Sequence, residues 1–147
     1  MMADVSPKPE VYREATAKGT IKLKPKTIDL IREGKTAKGD PLLTARIAGI
    51  LAAKKTSELV PLCHPLPLKS IEVEAQIVGD SVVEVMSTVK TKAQTGVEME
   101  ALTAVAVALL TVWDMTKQYE KDTCGQYPST VIENVRVVSK VKRTWGT

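Results

Sequence analysis

Apolar and polar residues alternate most cleanly in the middle of the chain. Ile71, Val73, Ala75 and Ile77 are separated by Glu72, Glu74 and Gln76. After Gly79-Asp80, Val83, Val85, Ser87 and Val89 are separated by Glu84, Met86 and Thr88. A period of two gives a strand with one dry and one wet face, and a short Gly-containing break between two such runs predicts an antiparallel hairpin. The period changes elsewhere. Thr27–Glu33 places Ile28, Leu30 and Ile31 ahead of Gly34, which predicts a short helix with a glycine stop. Asp40-Pro41 opens a longer one to about Lys55, with Asp as N-cap and Pro where a missing N–H costs nothing. Its predicted apolar face is Leu43, Ile47, Ile50, Leu51 and Ala53.

Prolines 61, 65 and 67 exclude regular structure through VPLCHPLPL. Thr95-Gly96-Val97-Glu98 fits a capping box. The helix that follows, to about Tyr119, is apolar almost all round through ALTAVAVALL and is expected to be covered on most sides. A strand is expected near the end of Tyr12–Leu23 and a last one over Val131–Val141. Short strands, a central hairpin and two long helices favour an α+β sandwich over a parallel α/β sheet.

The 147 residues suffice for one domain, with residues 1–10 read as a flexible N-terminal segment and 11–147 as a single catalytic domain. No apolar run reaches the roughly 18 residues of a membrane span, and MMADVSPKPE has no apolar core of its own, so neither a membrane nor a secretory signal is expected. Cys63 and Cys124 make no disulfide framework, which suggests a cytoplasmic protein with free thiols. The net charge of +4 suits an anionic ligand more than a nucleic-acid coat. With five Tyr and Trp and no Phe, the chain has few platforms for base stacking. His64 is the single histidine, so a three-ligand zinc site would need a coincidence of folding, and no metal ligand is assigned. No P-loop, dinucleotide fingerprint or nucleophile elbow is present.

Three segments could carry chemistry. His64 sits in a proline-stiffened loop, as a cap or as an acid, base or phosphate donor. In TGVEMEA, Glu98 fits the capping box, and Glu100 fits either a surface first-turn carboxylate or the rim of something buried. Asp114 and Lys117 in WDMTK share a helical face and can pair; burial would tune the lysine downward toward proton transfer. Arg13, Lys38, Arg46, Lys54, Lys55 and Lys140 are scattered bases, with Lys38 in a Gly-containing loop before a helix.

KGDPLLTARIAGILAAKKTSELVPLCHPLPL and TGVEMEALTAVAVALLTVWDMTK resemble the molybdenum-cofactor biosynthesis protein C family, and the resemblance runs from DVSPK to VRVVSK. It implies a ferredoxin-like α+β sandwich, an antiparallel sheet packed against helices, assembled as a homohexamer of three dimers. It also implies cyclic pyranopterin monophosphate synthase activity, a lyase reaction on the 3′,8-cyclised dihydro-GTP intermediate that releases pyrophosphate. In such enzymes the catalytic positions fall on Asp114, Lys117 and Lys38. Substrate contacts fall on Leu62, Cys63, His64, Met99 and Glu100, with Arg13, Lys54 and Lys140 toward the triphosphate or base. No resident cofactor is implied, although magnesium could accompany the triphosphate. Two stretches depart from the family: KVKRTWGT keeps Lys140 but does not match the usual Lys-Ser-Gly-Gly-Lys-Ser-Gly ending, which puts the second lysine and the flexible glycines in doubt, and DTCGQYPSTVIEN is longer than its usual connection. A non-catalytic basic module binding nucleotide or RNA, and a structural oligomer, are the competing readings. Glu100 and Asp114 are fourteen residues apart, about 21 Å along one helix, so a site using both is expected to lie between subunits.

Overall fold

In the computed structural model, which describes residues 1–144, the elements follow the order β1 (Val11–Lys22), α1 (Pro25–Arg32), α2 (Pro41–Lys54), α3 (Thr56–Leu59), β2 (Leu68–Val78), β3 (Val82–Ala93), α4 (Glu98–Glu120) and β4 (Val131–Arg143). The four strands form one antiparallel sheet in the order β2-β3-β1-β4. Apart from the short α1 and α3, this is the βαββαβ arrangement of ferredoxin-like sandwiches. The expected α+β architecture and the β2–β3 hairpin are present. β1 spans the whole of Val11–Lys22 instead of only its end, because Val11, Ala15, Ala17 and Ile21 alternate on the buried face.

α4 lies across β1, β3 and β4, and α2 packs on α4 and β2. Gly49 allows that close approach: a Cβ there would stand 3.0 Å from the Ala104 carbonyl oxygen. By length and composition α4 could cross a bilayer. Its Ala101, Ala104, Val105, Ala108, Leu109 and Val112 are instead buried in the core with Val83, Val85 and Val89 of the sheet.

Two expectations fail locally. Asp40 caps α2 as read, its Oδ1 accepting from the Leu42 and Leu43 N–H groups at 3.0 and 3.3 Å. But the face α2 buries is Pro41, Ala45, Gly49, Ala52 and Ala53, while Leu43, Ile47 and Leu51 are 51–53% exposed. Small residues face α4 because the two backbones run close, and the large ones are left outside. The capping box does not form either: α4 starts at Glu98 with Val97 as an N-cap lacking any side-chain bond. Glu98 is already in the helix, and its carboxylate meets Lys140 at 3.5 Å.

Candidate active site

α4 positions both groups of candidate residues, one at each end. At its C-terminal end, Asp114 and Lys117 are one helical turn apart, and Lys117 Nζ lies 3.0 Å from Asp114 Oδ1. Lys38 arrives from the loop between α1 and α2, 76 residues away in sequence. Its Nζ is 3.6 Å from Asp114 Oδ2 and donates to the Asp114 carbonyl at 3.2 Å. One carboxylate thus bridges two ammonium groups. The hydrogen bond and charge of Lys117, followed by the charge of Lys38, hold the Asp114 carboxyl below its ordinary range. Lys117 is correspondingly pushed up by its bond to Asp114. This reverses the expected direction: the pair is exposed in the single chain, so desolvation is outweighed and Lys117 is held as an ammonium. Beside it, Leu110, Trp113 and Ile132 wall a groove of about 380 Å³ that Asp114 and Lys117 close. Tyr127 meets Trp113 edge-on, with ring centroids 5.1 Å apart.

The N-terminal end of α4 is dry. Glu100 is 3% exposed, which removes the surface-carboxylate reading. Among the described residues its Oε1 has no hydrogen-bond partner, and its Oε2 is 3.8 Å from the Cys63 Sγ. Burial raises the Glu100 carboxyl pKa despite the helix terminus and the thiol. Burial, followed by the neighbouring carboxyl charge, pushes the Cys63 thiol up as well. Arg13 stands nearby, its guanidinium bonded to the Ala93 and Gln94 carbonyls at 3.0 and 3.3 Å. Lys140 pairs opposite Ala15 on β4 and reaches Glu98. His64 Nε2 donates to the Ala3 carbonyl at 2.7 Å, and His64 lines a second cavity of about 340 Å³ with Glu10, Lys92 and Gln94. Leu62 and Met99 are exposed at 57% and 41%.

The fold therefore gathers Asp114, Lys117 and Lys38 at one end of α4. It brings Cys63 against Glu100 at the other, with Arg13 and Lys140 at the same end of the helix. Lys54 joins neither group; it lies at the end of α2 beside Ile50, Leu68 and Lys69. Among the described residues, no three His, Cys, Asp or Glu side chains gather as a metal site would require. Sequence reasoning missed the Glu98–Lys140 ion pair, because the capping-box pattern assigned Glu98 elsewhere. It also missed Tyr119, whose hydroxyl accepts from the Ala37 N–H at 2.7 Å, next to Lys38. The scarcity of aromatic residues was the available signal for Tyr119.

A family model described as the MoaC family matches residues 2–143. The chain belongs to the MoaC family. Relatives from three archaea carry the name "Probable cyclic pyranopterin monophosphate synthase". The Sulfolobus acidocaldarius protein is 58% identical over 141 residues, 96% of this chain and 98% of that one. The Thermococcus kodakarensis protein is 57% identical over 96% of this chain and 90% of its own length. The Methanococcoides burtonii protein is 54% identical over 97% and 89%. This membership agrees with the resemblance carried by the LCHPL and TGVEMEA motifs of this MoaC-family chain.

Proposed function

We propose that this protein is a cyclic pyranopterin monophosphate synthase of molybdenum cofactor biosynthesis, acting on the 3′,8-cyclised dihydro-GTP intermediate. The observation that carries this reading is the Asp114 carboxylate held between Lys117 and Lys38 at 3.0 and 3.6 Å. Two lysines on one carboxylate supply what the reaction asks for. Rearranging the ring moves protons on and off nitrogen and oxygen, which positioned acid–base groups can do without a redox metal. Lys117, kept as an ammonium by Asp114, acts first as a proton donor. Forming the cyclic phosphate requires a substrate hydroxyl oxygen to attack the α-phosphorus. The new P–O bond forms as the bond to pyrophosphate breaks, and the hydroxyl proton passes to a base. Fixed cationic side chains stabilise the charge on the departing pyrophosphate. A magnesium ion, where used, comes with the triphosphate as part of the substrate.

The catalytic roles go to Asp114, Lys117 and Lys38. Substrate contacts go to Leu62, Cys63, His64, Met99 and Glu100, with Arg13, Lys54 and Lys140 toward the phosphates or base. Apart from Lys54, which stands at the end of α2, the two groups sit at opposite ends of one helix, so the proposal includes a homohexamer of three dimers in which a neighbour completes each site. Exposed Leu43, Ile47 and Leu51 on α2 and Leu110 on α4 provide apolar surface that supports subunit contact. The cytoplasm is the proposed compartment, from the two free cysteines. Incubation with the cyclised dihydro-GTP tests the activity: pyrophosphate and a pterin product should appear together. A folded protein that releases neither rules the function out.

A further inference from the structure

We infer that Tyr119 is a positioning residue for Lys38: its hydroxyl fixes the 36–39 turn against α4 and so places the Lys38 ammonium over Asp114. The inference rests on the catalytic reading of Lys38. Lys38 stands on an exposed connection between α1 and α2, where a long side chain has many rotamers to lose. The turn is closed from within. The Gly39 N–H donates to the Thr36 carbonyl at 3.3 Å, the Thr36 hydroxyl donates to the Gly39 carbonyl, and Gly39 adopts φ 107°, which glycine tolerates without a Cβ clash. Those bonds set the shape of the turn but not its place relative to Asp114. Placement needs a tether from the turn to α4. The bond from the Ala37 N–H to the Tyr119 hydroxyl, at 2.7 Å, is such a tether, and it is made one residue before Lys38. The half-buried Tyr119 ring has few torsions to order, so it can hold the turn stiffly. Tyr119 belongs to the same helix as Asp114, five residues further on, so one rigid element carries both partners of the turn.

Tyr119→Phe in the assembled enzyme tests this, because it removes the acceptor and keeps the ring. Two changes are expected, with KM and the thermal midpoint held. The Ala37 amide proton should exchange faster by about tenfold or more, since its partner is gone. The kcat should fall by roughly ten- to a hundredfold, the scale of a small misplacement of a reacting group. KM should stay within about twofold and the thermal midpoint should not move. Lys38→Ala is measured alongside. Adding Tyr119→Phe to Lys38→Ala should cause no further loss, because the tether acts only through that lysine. Wild-type kcat and wild-type Ala37 exchange in Tyr119→Phe overturn the inference. So does an additional loss in the double variant, which would mean Tyr119 acts independently of Lys38. Wild-type turnover in Lys38→Ala overturns the catalytic reading of Lys38 itself, whereas the exchange measurement still reports separately on the tether.

Discussion

At the start of α4 the Glu100 carboxyl is 3% exposed, with one oxygen unpartnered and a thiol 3.8 Å from the other. Fourteen residues later the Asp114 side chain is 61% exposed and held by two lysines. Burial raises the first carboxyl and cations lower the second. The same functional group on the same helix is thus prepared for opposite jobs. The wet end holds two ammonium groups on one carboxylate, which is what the proposed acid–base chemistry uses. The dry end keeps a carboxyl oxygen that is buried and, among the described residues, without a hydrogen-bond partner. Neither end alone combines both environments, and the proposed shared site joins them across two subunits.

Breaking the wet end should have the largest effect. Lys117→Ala should lower turnover by about 10²–10⁴-fold with the fold intact, as loss of a positioned acid–base group does. Asp114→Asn should be similarly harmful, because the amide cannot hold Lys117 as an ammonium. Steady-state kinetics on protein with a wild-type circular dichroism spectrum checks both, and near-wild-type turnover in Lys117→Ala removes that residue from the mechanism. Mixing subunits sharpens the comparison further. Glu100→Ala and Lys117→Ala proteins, each inactive alone, should recover activity when reassembled together. Random mixing leaves about a quarter of shared sites intact. Absence of recovery with mixing confirmed by mass spectrometry means that each chain builds its own site.

His64→Ala should act on the dry side of the comparison, weakening substrate binding more than stability. Its ring touches the Ala3 carbonyl and lines an open cavity, not the core. A large fall in unfolding midpoint with unchanged activity per folded molecule would make His64 structural. The smallest effect concerns stability and pH. Because the native Glu100 carboxyl titrates above its ordinary 4.5, the folded state binds more protons than the unfolded state just above that pH. Stability from this group therefore falls as pH rises from about 4.5 through the raised native value, the reverse of a paired carboxylate. Glu100→Gln should flatten that decline in urea denaturation across pH; an unchanged slope would show that Glu100 ionises freely in the native protein.

Much of the fold was legible because it is encoded locally. The β2–β3 hairpin follows from strict alternation around Gly79-Asp80, and the start of α2 from Asp40-Pro41. The failures came where a distant partner overrides a local pattern. Leu43, Ile47 and Leu51 form a good apolar stripe, yet Gly49 and its small neighbours bring α2 and α4 so close that the other face is buried. Thr95 and Glu98 have capping-box spacing, but α4 begins only at Glu98 with Val97 as N-cap, so the glutamate is not at the third helical position the motif requires. For the candidate site, the i,i+3 pairing of Asp114 and Lys117 was readable from spacing. Lys38 was linked to them only through the family resemblance, since no periodicity spans 76 residues. The dry helix after Glu100 hinted at its burial, but its contact with Cys63 was unreadable for the same reason, since 37 residues separate the two.

The last residue of α4 has a consequence in time. Glu120 is fully buried and gathers donors from three places: the Lys24 N–H at 3.0 and 3.2 Å, the Thr27 hydroxyl, and the Thr130 hydroxyl at 2.7 Å. During synthesis the first two precede it by more than ninety residues, and the third emerges ten residues after it. Until residue 130 has left the ribosome, the carboxylate lacks one of its donors. The helix end that carries Asp114 and Lys117 is therefore among the last parts of a nascent chain to be seated. A growing polypeptide cannot complete this buried acceptor before Thr130 is in place.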